Sequence, residues 1–319
     1  MLGIDVSKDT LACTLLDPAT QKPLWSRTVP NTPSGVQRLL KQTPSDWPWA
    51  LEPTGRYSLL AAVGAQKAGR QVLLAQPKKA RDFLRSIQSR AKTDALDSHG
   101  IGLFALCRPL PPYPIKSEAV EQLDQLLSVR KSLSASLASF GLQARELTHA
   151  APALAPVIAS LQAQKSEIDR QIAALTDTSE EFSIAAELEK VPGFGKVTAA
   201  TLASRLAGHT FGHSDQFVAY CGLDVGVRQS GKKNGQTGLT KQGDGELRRL
   251  LYLAAQSNLR SKNSPFKAQY EKERAKGLSS TAALCAVARK LARLAWSLHK
   301  HRTPYDPQRV YQQNQPTNP

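Results

Sequence analysis

The feature that most constrains the fold of this chain is a proline-rich stretch, RPLPPYPIK, at residues 108–116. Four of its nine residues are prolines. Proline lacks a backbone N–H donor and fixes φ, so neither a helix nor a central strand is expected to run through this stretch. The 319-residue chain is therefore predicted to form separate parts on either side of a linker at 108–116.

Residues 1–107 alternate between strand-like and helical segments. Three apolar segments within the first 30 residues predict three strands. A short helix follows, for which Ser34 is a candidate cap. The segments after it predict a strand, a helix, a second strand and a basic helical stretch. This order is typical of a ribonuclease-H-like α/β domain.

The chain beyond the linker predicts helices. Residues 117–186 contain almost no glycine and predict two long helices, broken near 149–156, that pair as an antiparallel coiled coil. Residues 187–302 predict a second, helical domain, and residues 303–319 predict a flexible tail. The apolar residues that recur at helical spacing in the first long helix are Leu123, Leu126, Leu127 and Leu133.

Four acidic residues of the first domain are candidates for one metal site. Asp5 lies inside an apolar first strand, where a lone carboxylate is costly unless it is paired or bound to a cation. Glu52 ends a later strand, and Asp94 and Asp97 share one face of a helix. Taken alone, the helical pair also suits a solvated face, and Glu52 suits a turn. Together they predict a site for Mg²⁺ or Mn²⁺, with one ion or two; His99 is a surface histidine or an assistant.

Composition favours a polyanionic partner. The chain has 42 Lys and Arg against 26 Asp and Glu, a net charge of +16, which suits nucleic acid although it also fits a merely soluble basic protein. The four cysteines form no CxxC pair, so a disulfide framework is not expected. We expect no signal peptide and no transmembrane helix, and hence a soluble protein of the bacterial cytoplasm, associated with the nucleoid when it acts.

The segment ELEKVPGFGKVTAATLASRLA, at residues 187–207, predicts a helix-hairpin-helix. Gly193 and Gly195 permit a tight turn, after which backbone N–H groups and Lys196 at the start of the next helix can face a phosphate. An ordinary pair of packed helices is the alternative.

A serine in a basic setting follows. Ser230 stands in RQSGKKNG, where two glycine- and lysine-rich turns are predicted before a helix that begins at Glu246. Positive charge around a hydroxyl helps to hold a phosphate and to stabilise an attacking oxygen. Taken alone, Ser230 is also typical of an ordinary loop serine.

The chain resembles the transposases of the insertion sequence 110 family over roughly residues 1–300. These proteins are related to the Piv DNA invertase and are also called bridge recombinases. The resemblance lies in five blocks that stand in the family's order: GIDVSKDT, EPTGRY, AKTDALDSHGI, VPGFGKVTAATL and AYCGLD…RQSGKKNG…LTKQGDGELRRLLYLAA.

The resemblance implies a RuvC-like domain with a DEDD metal site, a coiled-coil linker and a transposase domain with a catalytic serine. Asp5, Glu52, Asp94 and Asp97 match the four acidic positions, and Ser230 matches the serine. It further implies a 5′-phosphoserine intermediate, a homotetramer, and a bispecific bridge RNA that pairs with target and donor DNA.

Two departures from the family pattern stand out. Only four residues precede Asp5. Leu239-Thr240-Lys241 replaces the usual I-S-K, which removes a second serine and favours Ser230 as the nucleophile.

If base pairing with RNA selects the DNA sequence, the protein itself needs mainly contacts with the nucleic-acid backbone, which basic residues supply. Each candidate taken alone also suits a solvated face. The predicted nucleic-acid contacts are Lys78, Lys79, Arg81, Arg85, Arg90, Gly193, Gly195, Lys196, Arg228, Lys232, Lys233, Lys241, Arg248 and Arg249, with a further basic stretch at Arg289, Lys290, Arg293, Lys300 and Arg302.

Two other functions remain open at this point. One is a metal-dependent, structure-selective nuclease of the Holliday-junction-resolvase type, in which the acidic residues activate water and Ser230 only contacts phosphate. The other is a non-catalytic nucleic-acid-binding protein, in which all four acidic residues are dispensable.

Overall fold

The computed structural model describes residues 1–87, 94–230, 233–260 and 264–308, with the backbone alone at 87, 227–230 and 233–237. The predicted contacts Arg90 and Lys232 lie outside the described residues, as do residues 309–319 of the predicted tail. The chain divides into two compact units, Met1–Ile115 and Lys116–Pro319.

The first unit is built on a five-stranded mixed sheet in the order β3-β2-β1-β4-β5. Strands β1, β2 and β3 are antiparallel neighbours, whereas β4 is parallel to β1 and β5 is parallel to β4. The strands are β1 (Leu2–Val6), β2 (Thr10–Leu16), β3 (Pro23–Pro30), β4 (Trp49–Leu51) and β5 (Val72–Leu74). The predicted order of elements is therefore observed.

Helices cover both faces of this sheet. One core joins the sheet to α1 and α2 and includes Ile4, Val36 and Ala61. A second core joins it to α3 and α4 and includes Ala50 and Phe104. The helices are α1 (Pro33–Gln42), α2 (Tyr57–Lys67), α3 (Pro77–Ile87) and α4 (Asp94–Cys107).

The cap of α1 differs from the prediction. Thr32, not Ser34, precedes the helix in extended conformation, and its hydroxyl accepts a hydrogen bond from the Gly35 N–H at 3.2 Å. Pro33 then occupies the first helical position, where its missing N–H costs nothing.

Helix α4 lies directly against β1 because two glycines allow it. A Cβ atom added at Gly3 would lie 2.1 Å from the Ser98 carbonyl oxygen and 2.5 Å from the Gly102 nitrogen. Beside this contact, the buried Thr14 and Ser98 hydroxyls are hydrogen-bonded at 2.8 Å. The start of α4 is thereby fixed above β1 and β2.

The proline-rich segment packs on the first unit and covers the edge strand β5. The Leu74 N–H donates to the Pro111 carbonyl, and the Tyr113 N–H donates to the Val72 carbonyl, both at 2.8 Å. The Tyr113 hydroxyl is also 2.8 Å from the buried Ser58 hydroxyl. An exposed strand edge is thus covered by a short chain that cannot propagate a sheet.

The second unit begins with two long helices, α5 (Glu118–Glu146) and α6 (Ala151–Thr178), which pack against each other as a helical hairpin. The turn lies between Glu146 and Ala151, and Pro156 is inside α6, so the predicted break lies slightly too late. The base of this hairpin, with Leu123 and Ile172 buried, shares one core with the helices that follow.

Those helices pack around the long helix α12, and a small β-hairpin, β6–β7, lies between α9 and α10 in the chain. The sequence predicted turns in this segment. The two-residue connection between β6 and β7 begins with a glycine, which is a sequence signal for such a hairpin.

None of the helices within the described residues is long and apolar enough to cross a membrane. The remaining elements are a 3₁₀ turn (Glu180–Phe182), α7 (Ile184–Glu189), α8 (Lys196–Ala207), α9 (Ser214–Tyr220), β6 (Val225–Ser230), β7 (Lys233–Leu239), α10 (Gly245–Arg260), α11 (Pro265–Ala275) and α12 (Ser280–His301).

We predict that Gly3→Ala destabilises the first unit by about 1–3 kcal/mol, because the new methyl group meets backbone atoms of α4 that cannot turn aside. Urea unfolding followed by tryptophan fluorescence measures this, since Trp25, Trp47 and Trp49 all lie in the first unit. Gly141→Ala is the control, because open space surrounds Gly141 inside α5 and alanine is the better helix former. Equal stability of Gly3→Ala and the native chain would contradict the described packing.

Candidate active site and nucleic-acid interface

Asp5 and Glu52 lie at the carboxyl ends of neighbouring parallel strands. Strands β1 and β4 pair with Gly3 opposite Ala50 and Ile4 opposite Leu51, so Asp5 and Glu52 are next in register. Alternation along β1 places Asp5 on the same face as Gly3, beneath α4. Both acidic residues are half-buried. The carboxyl edge of parallel strands is where α/β sheets bind ligands.

Helix α4 brings the third carboxylate to this edge. Asp94 and Asp97 are in its first turn, where negative charge interacts favourably with the helix dipole. Asp97 is half-buried, whereas Asp94 is exposed one turn earlier. His99, two residues after Asp97, points to another side of the helix, and burial lowers its pKa. This position favours the alternative in which His99 does not assist the site.

The electrostatics of Glu52 show which groups lie together. Its pKa is raised to about 7, first by burial and then by the negative charges of Asp5 and Asp97. The guanidinium of Arg81, on α3, acts in the opposite direction. Asp5, Glu52 and Asp97 therefore form one acidic cluster with Arg81 at its side.

The cluster fits a divalent cation in its chemistry. Carboxylate oxygens are the ligands that Mg²⁺ and Mn²⁺ prefer, and a cation would relieve the repulsion that raises the pKa of Glu52. Within the described residues, however, no three His, Cys, Asp or Glu side chains are arranged to hold one metal ion. The structure thus shows neighbouring negative charges rather than a preformed set of ligands.

Helix α3, which places Arg81 near Glu52, carries further basic side chains. Lys78, Lys79, Arg81 and Arg85 are all exposed on this helix. Exposed cations beside a carboxylate site can hold the backbone of a nucleic acid without closing the site.

Ser230 is the last residue of β6, at the end of the β6–β7 hairpin, where its backbone pairs with that of Lys233. Arg228 belongs to the same strand and pairs with Gly235. At the base of the hairpin, the Thr240 N–H donates to the Asp224 carbonyl at 2.9 Å, and the Thr240 hydroxyl bonds the Asp224 carboxylate. The backbone thus presents the predicted nucleophile at the tip of a closed hairpin.

The chain after the hairpin is held by Arg248. Its guanidinium donates to the carbonyl oxygens of Cys221 and Lys241, at 3.2 and 3.4 Å. Arg249 is ion-paired with Glu246, yet 54% of its side chain is exposed, and Lys241 is exposed as well. Lys241 and Arg249 are thus more accessible to a phosphate than Arg248, which supports the loop.

Gly193 has a packing role that the sequence did not reveal. Its φ is +87°, and a Cβ there would lie 2.6 Å from both the Ala254 carbonyl oxygen and the Asn258 amide nitrogen. The Asn258 side chain in turn donates to the Pro192 carbonyl at 2.7 Å. The turn between α7 and α8 is therefore locked onto α10, a long-range contact that a local motif cannot signal.

Gly195 and Lys196 lie on the open side of the same turn. Gly195 precedes α8 in extended conformation and has open space around it, and Lys196 is exposed. The side of this turn available to a phosphate is the one formed by Gly195 and Lys196.

Comparison with known proteins gives two consecutive family matches. A DEDD transposase model of the IS110 group matches residues 2–150, which contain all four predicted acidic ligands. The model described as the transposase IS116/IS110/IS902 family matches residues 185–271, which contain Ser230 and Gly195. The first match implies a RuvC-like fold, in agreement with the mixed sheet and its helices.

Individual relatives agree with these matches. The chain is 33% identical to the transposase for insertion sequence element IS1328 of Yersinia enterocolitica, over 42% of this chain and 40% of the relative. It is 25% identical to an IS900 protein of 42 kDa from Mycobacterium paratuberculosis, over 61% of this chain and 52% of the relative. These alignments thus span about half, or less, of the length of those relatives.

A third relative is aligned almost from end to end. The pilin gene-inverting protein of Moraxella bovis is 23% identical over 96% of this chain and 97% of its own length. The two family matches, taken with these relatives, confirm the resemblance drawn from the five sequence blocks. The chain belongs to the IS116/IS110/IS902 family of transposases.

Proposed function

We propose that this chain is a DNA transposase that cuts and rejoins DNA, with Ser230 as nucleophile and a carboxylate site as its assistant. The observation that carries the proposal is the convergence of Asp5, Glu52 and Asp97 at the carboxyl edge of the sheet, where burial, together with the charges of Asp5 and Asp97, raises the pKa of Glu52 to about 7. Carboxylates that raise one another's pKa are stabilised by a positive ligand, so the cluster is a candidate site for a cation.

In the proposed site, Asp5, Glu52, Asp94 and Asp97 would hold Mg²⁺ or Mn²⁺. When bound, the cation would supply positive charge for the phosphate oxygens that become more negative during phosphoryl transfer. Arg81 lies beside Glu52 and is exposed, so its guanidinium is placed to orient a backbone phosphate at the edge of the site.

The proposed covalent step is a reversible exchange of phosphate esters. The Ser230 oxygen forms a bond to a DNA phosphorus atom and loses its proton to a base, and the 3′-oxygen of the neighbouring nucleotide leaves and takes up a proton. The product is a 5′-phosphoserine ester and a free 3′-hydroxyl. Attack by the 3′-hydroxyl of another strand reverses the chemistry, releases Ser230 and rejoins the DNA.

The proposal also includes a homotetramer and a guide RNA. Four copies of the chain act together, the carboxylate site of one copy serving the serine of another, and a bispecific bridge RNA selects target and donor DNA. The α5–α6 hairpin serves as the coiled coil, and the turn between α7 and α8 serves as the helix-hairpin-helix. The net charge of +16 suits a protein that holds two kinds of nucleic acid.

One observation favours a second function, that of a DNA nuclease. A carboxyl group with a pKa of about 7, like that of Glu52, is suited to accept a proton from water at neutral pH. A structure-selective nuclease of the Holliday-junction-resolvase type would use it in this way. Such an enzyme cuts DNA without a covalent protein–DNA adduct, so the adduct separates the two functions.

We predict that Ser230→Ala lowers strand exchange at least about a thousandfold and abolishes the covalent adduct, because no other group in the variant forms the phosphoserine bond. Labelled DNA retained on the denatured protein in a gel measures the adduct. Ser257→Ala, which removes an exposed hydroxyl on α10, is the control and should form the adduct normally. An adduct that persists in Ser230→Ala would exclude Ser230 as the nucleophile.

We predict that Glu52→Gln flattens the pH dependence of stability when no divalent cation is present. The pKa of Glu52 is about 7 in the folded chain and 4.5 in its ordinary state, so the folded chain retains a proton that the unfolded chain releases. The free energy of unfolding should therefore fall as pH rises through this window, and less so in the variant. Urea unfolding in the presence of a chelator, repeated at several pH values in this window, measures the slope of the free energy of unfolding against pH for the native chain and for the variant.

The control for this measurement is Asp9→Asn, which removes an exposed carboxylate from the same unit. Its slope should equal that of the native chain. Addition of Mg²⁺ above pH 7 should raise the stability of the native chain more than that of Asp5→Asn, because the cation favours the ionised cluster. Identical slopes in Glu52→Gln and the native chain would refute the buried, repelling environment of Glu52.

We predict that Lys196→Gln weakens binding of duplex DNA and reduces the slope of log affinity against log salt by about one, because one phosphate contact is lost. Lys190→Gln is the matched control, since Lys190 lies across the same turn and is ion-paired with Glu187 at 2.5 Å. Titrations of a labelled duplex at several salt concentrations measure both slopes. Equal slopes in the two variants would remove the phosphate-binding role of the turn between α7 and α8.

A further inference from the structure

A cavity of about 570 Å³ lies in the first unit beside α3, outside the acidic cluster. Its walls come from the end of β5, from α3 and α4, and from the proline-rich segment. The rings of Phe83 and Phe104 form one wall, with their centroids 5.3 Å apart. This volume is typical of small-molecule sites.

The wall formed by the proline-rich segment is firmly attached. Pro111 accepts a hydrogen bond from the Leu74 N–H at 2.8 Å, and Tyr113, two residues further on, is bound both to Val72 and to Ser58. This wall of the cavity is thus shaped by backbone that is tied to the sheet.

Charged and hydrogen-bonding groups surround the apolar wall. Lys79 and Arg108 line the cavity, are exposed, and form no ion pair with any residue that the structure describes. Gln76 and Asp82 also line it and are exposed, so an amide and a carboxylate are available beside the rings. The cavity combines an aromatic face, two cations, and both donors and acceptors of hydrogen bonds.

We propose that this cavity receives one unstacked base of a single-stranded nucleic acid, with the flanking phosphates held by Lys79 and Arg108. The inference rests on the proposed function as a nucleic-acid enzyme and names a base-binding site within it. An unstacked base presents a flat apolar face to an aromatic ring and free polar edges to side chains such as Gln76 and Asp82. A paired base inside a duplex offers neither.

The cavity is close to the acidic cluster because both adjoin the same helix. Arg81 of α3 interacts electrostatically with Glu52, whereas Lys79 and Phe83, two residues away on either side, line the cavity. A strand whose backbone crosses α3 can therefore place a base in the cavity and a phosphate near the carboxylates. A base bound in the cavity would position the strand so that one of its phosphates lies at the carboxylate site.

The test compares two ligands on the full chain: a labelled oligothymidine of about twelve nucleotides and an abasic oligomer of the same length and charge. The native chain should bind the oligothymidine about tenfold more tightly, since stacking on an aromatic ring requires a base. Phe83→Leu should lose this preference while it still binds both ligands. Lys79→Ala should weaken the binding of both ligands equally and retain the preference for the oligothymidine.

Trp25→Leu is the matched control, because it removes another half-buried aromatic ring that lies beside an arginine, Arg27, on β3. It should keep the preference. Thermal unfolding checks that Phe83→Leu folds. Independently of any variant, an oligonucleotide that contains iodouracil should photocrosslink the native chain within the peptide that carries Phe83 or Phe104.

Two failures are distinguishable. If the native chain binds both ligands equally, or if Phe83→Leu keeps the preference, the cavity is not a base-binding site, although the proposed transposase function stands. Crosslinks confined to other peptides would overturn the inference in the same way. If the native chain binds neither single strands nor duplex DNA, the proposed function fails together with the inference.

Discussion

The contact between Gly3 and the backbone of α4 is the interaction on which the acidic cluster depends. A side chain at Gly3 would hold the backbone of α4 further from β1, which would leave Asp97 further from the strand ends. The absence of a side chain at Gly3 brings the Ser98 carbonyl and the Gly102 nitrogen down to β1. The first turn of α4 then reaches the edge where β1 ends, beside Asp5.

That placement costs stability because it gathers negative charge in a partly buried position. Burial and two carboxylate neighbours raise the pKa of Glu52 to about 7, and Arg81 offsets only part of this effect. In a chain with a net charge of +16, cations are available to neutralise an acidic cluster. The raised pKa of Glu52 indicates that an external positive charge would be favourable here, which is how destabilised groups accumulate at functional sites.

Local patterns predicted the parts of the structure that depend on local physics. The apolar segments within the first 30 residues and the order of elements predicted the strands and helices of the first unit, whereas the register that places Asp5 beside Glu52 came from the structure. Contacts between distant segments were not predictable in this way. The packing of Gly193 on α10, the hydrogen bonds of Arg248 and the cover that Pro111 gives to β5 all depend on residues far apart in the sequence.

In the second unit, two ion pairs of Arg205 connect the start of α10 to the long helix α5. Arg205 bonds Asp124 of α5 and, at 2.8 Å, Asp244, whose carboxylate also caps α10. Burial opposes ionisation of Asp124, but Arg205 and Lys116 outweigh it and hold its pKa below the ordinary value. Loss of one partner would leave a mostly buried charge unpaired, so substitution of any one of these residues would be destabilising. The chain that follows the β6–β7 hairpin is thus fixed to α5 and α8 where α10 begins, and a preorganised support of that kind is what the proposed attack of Ser230 on phosphorus requires.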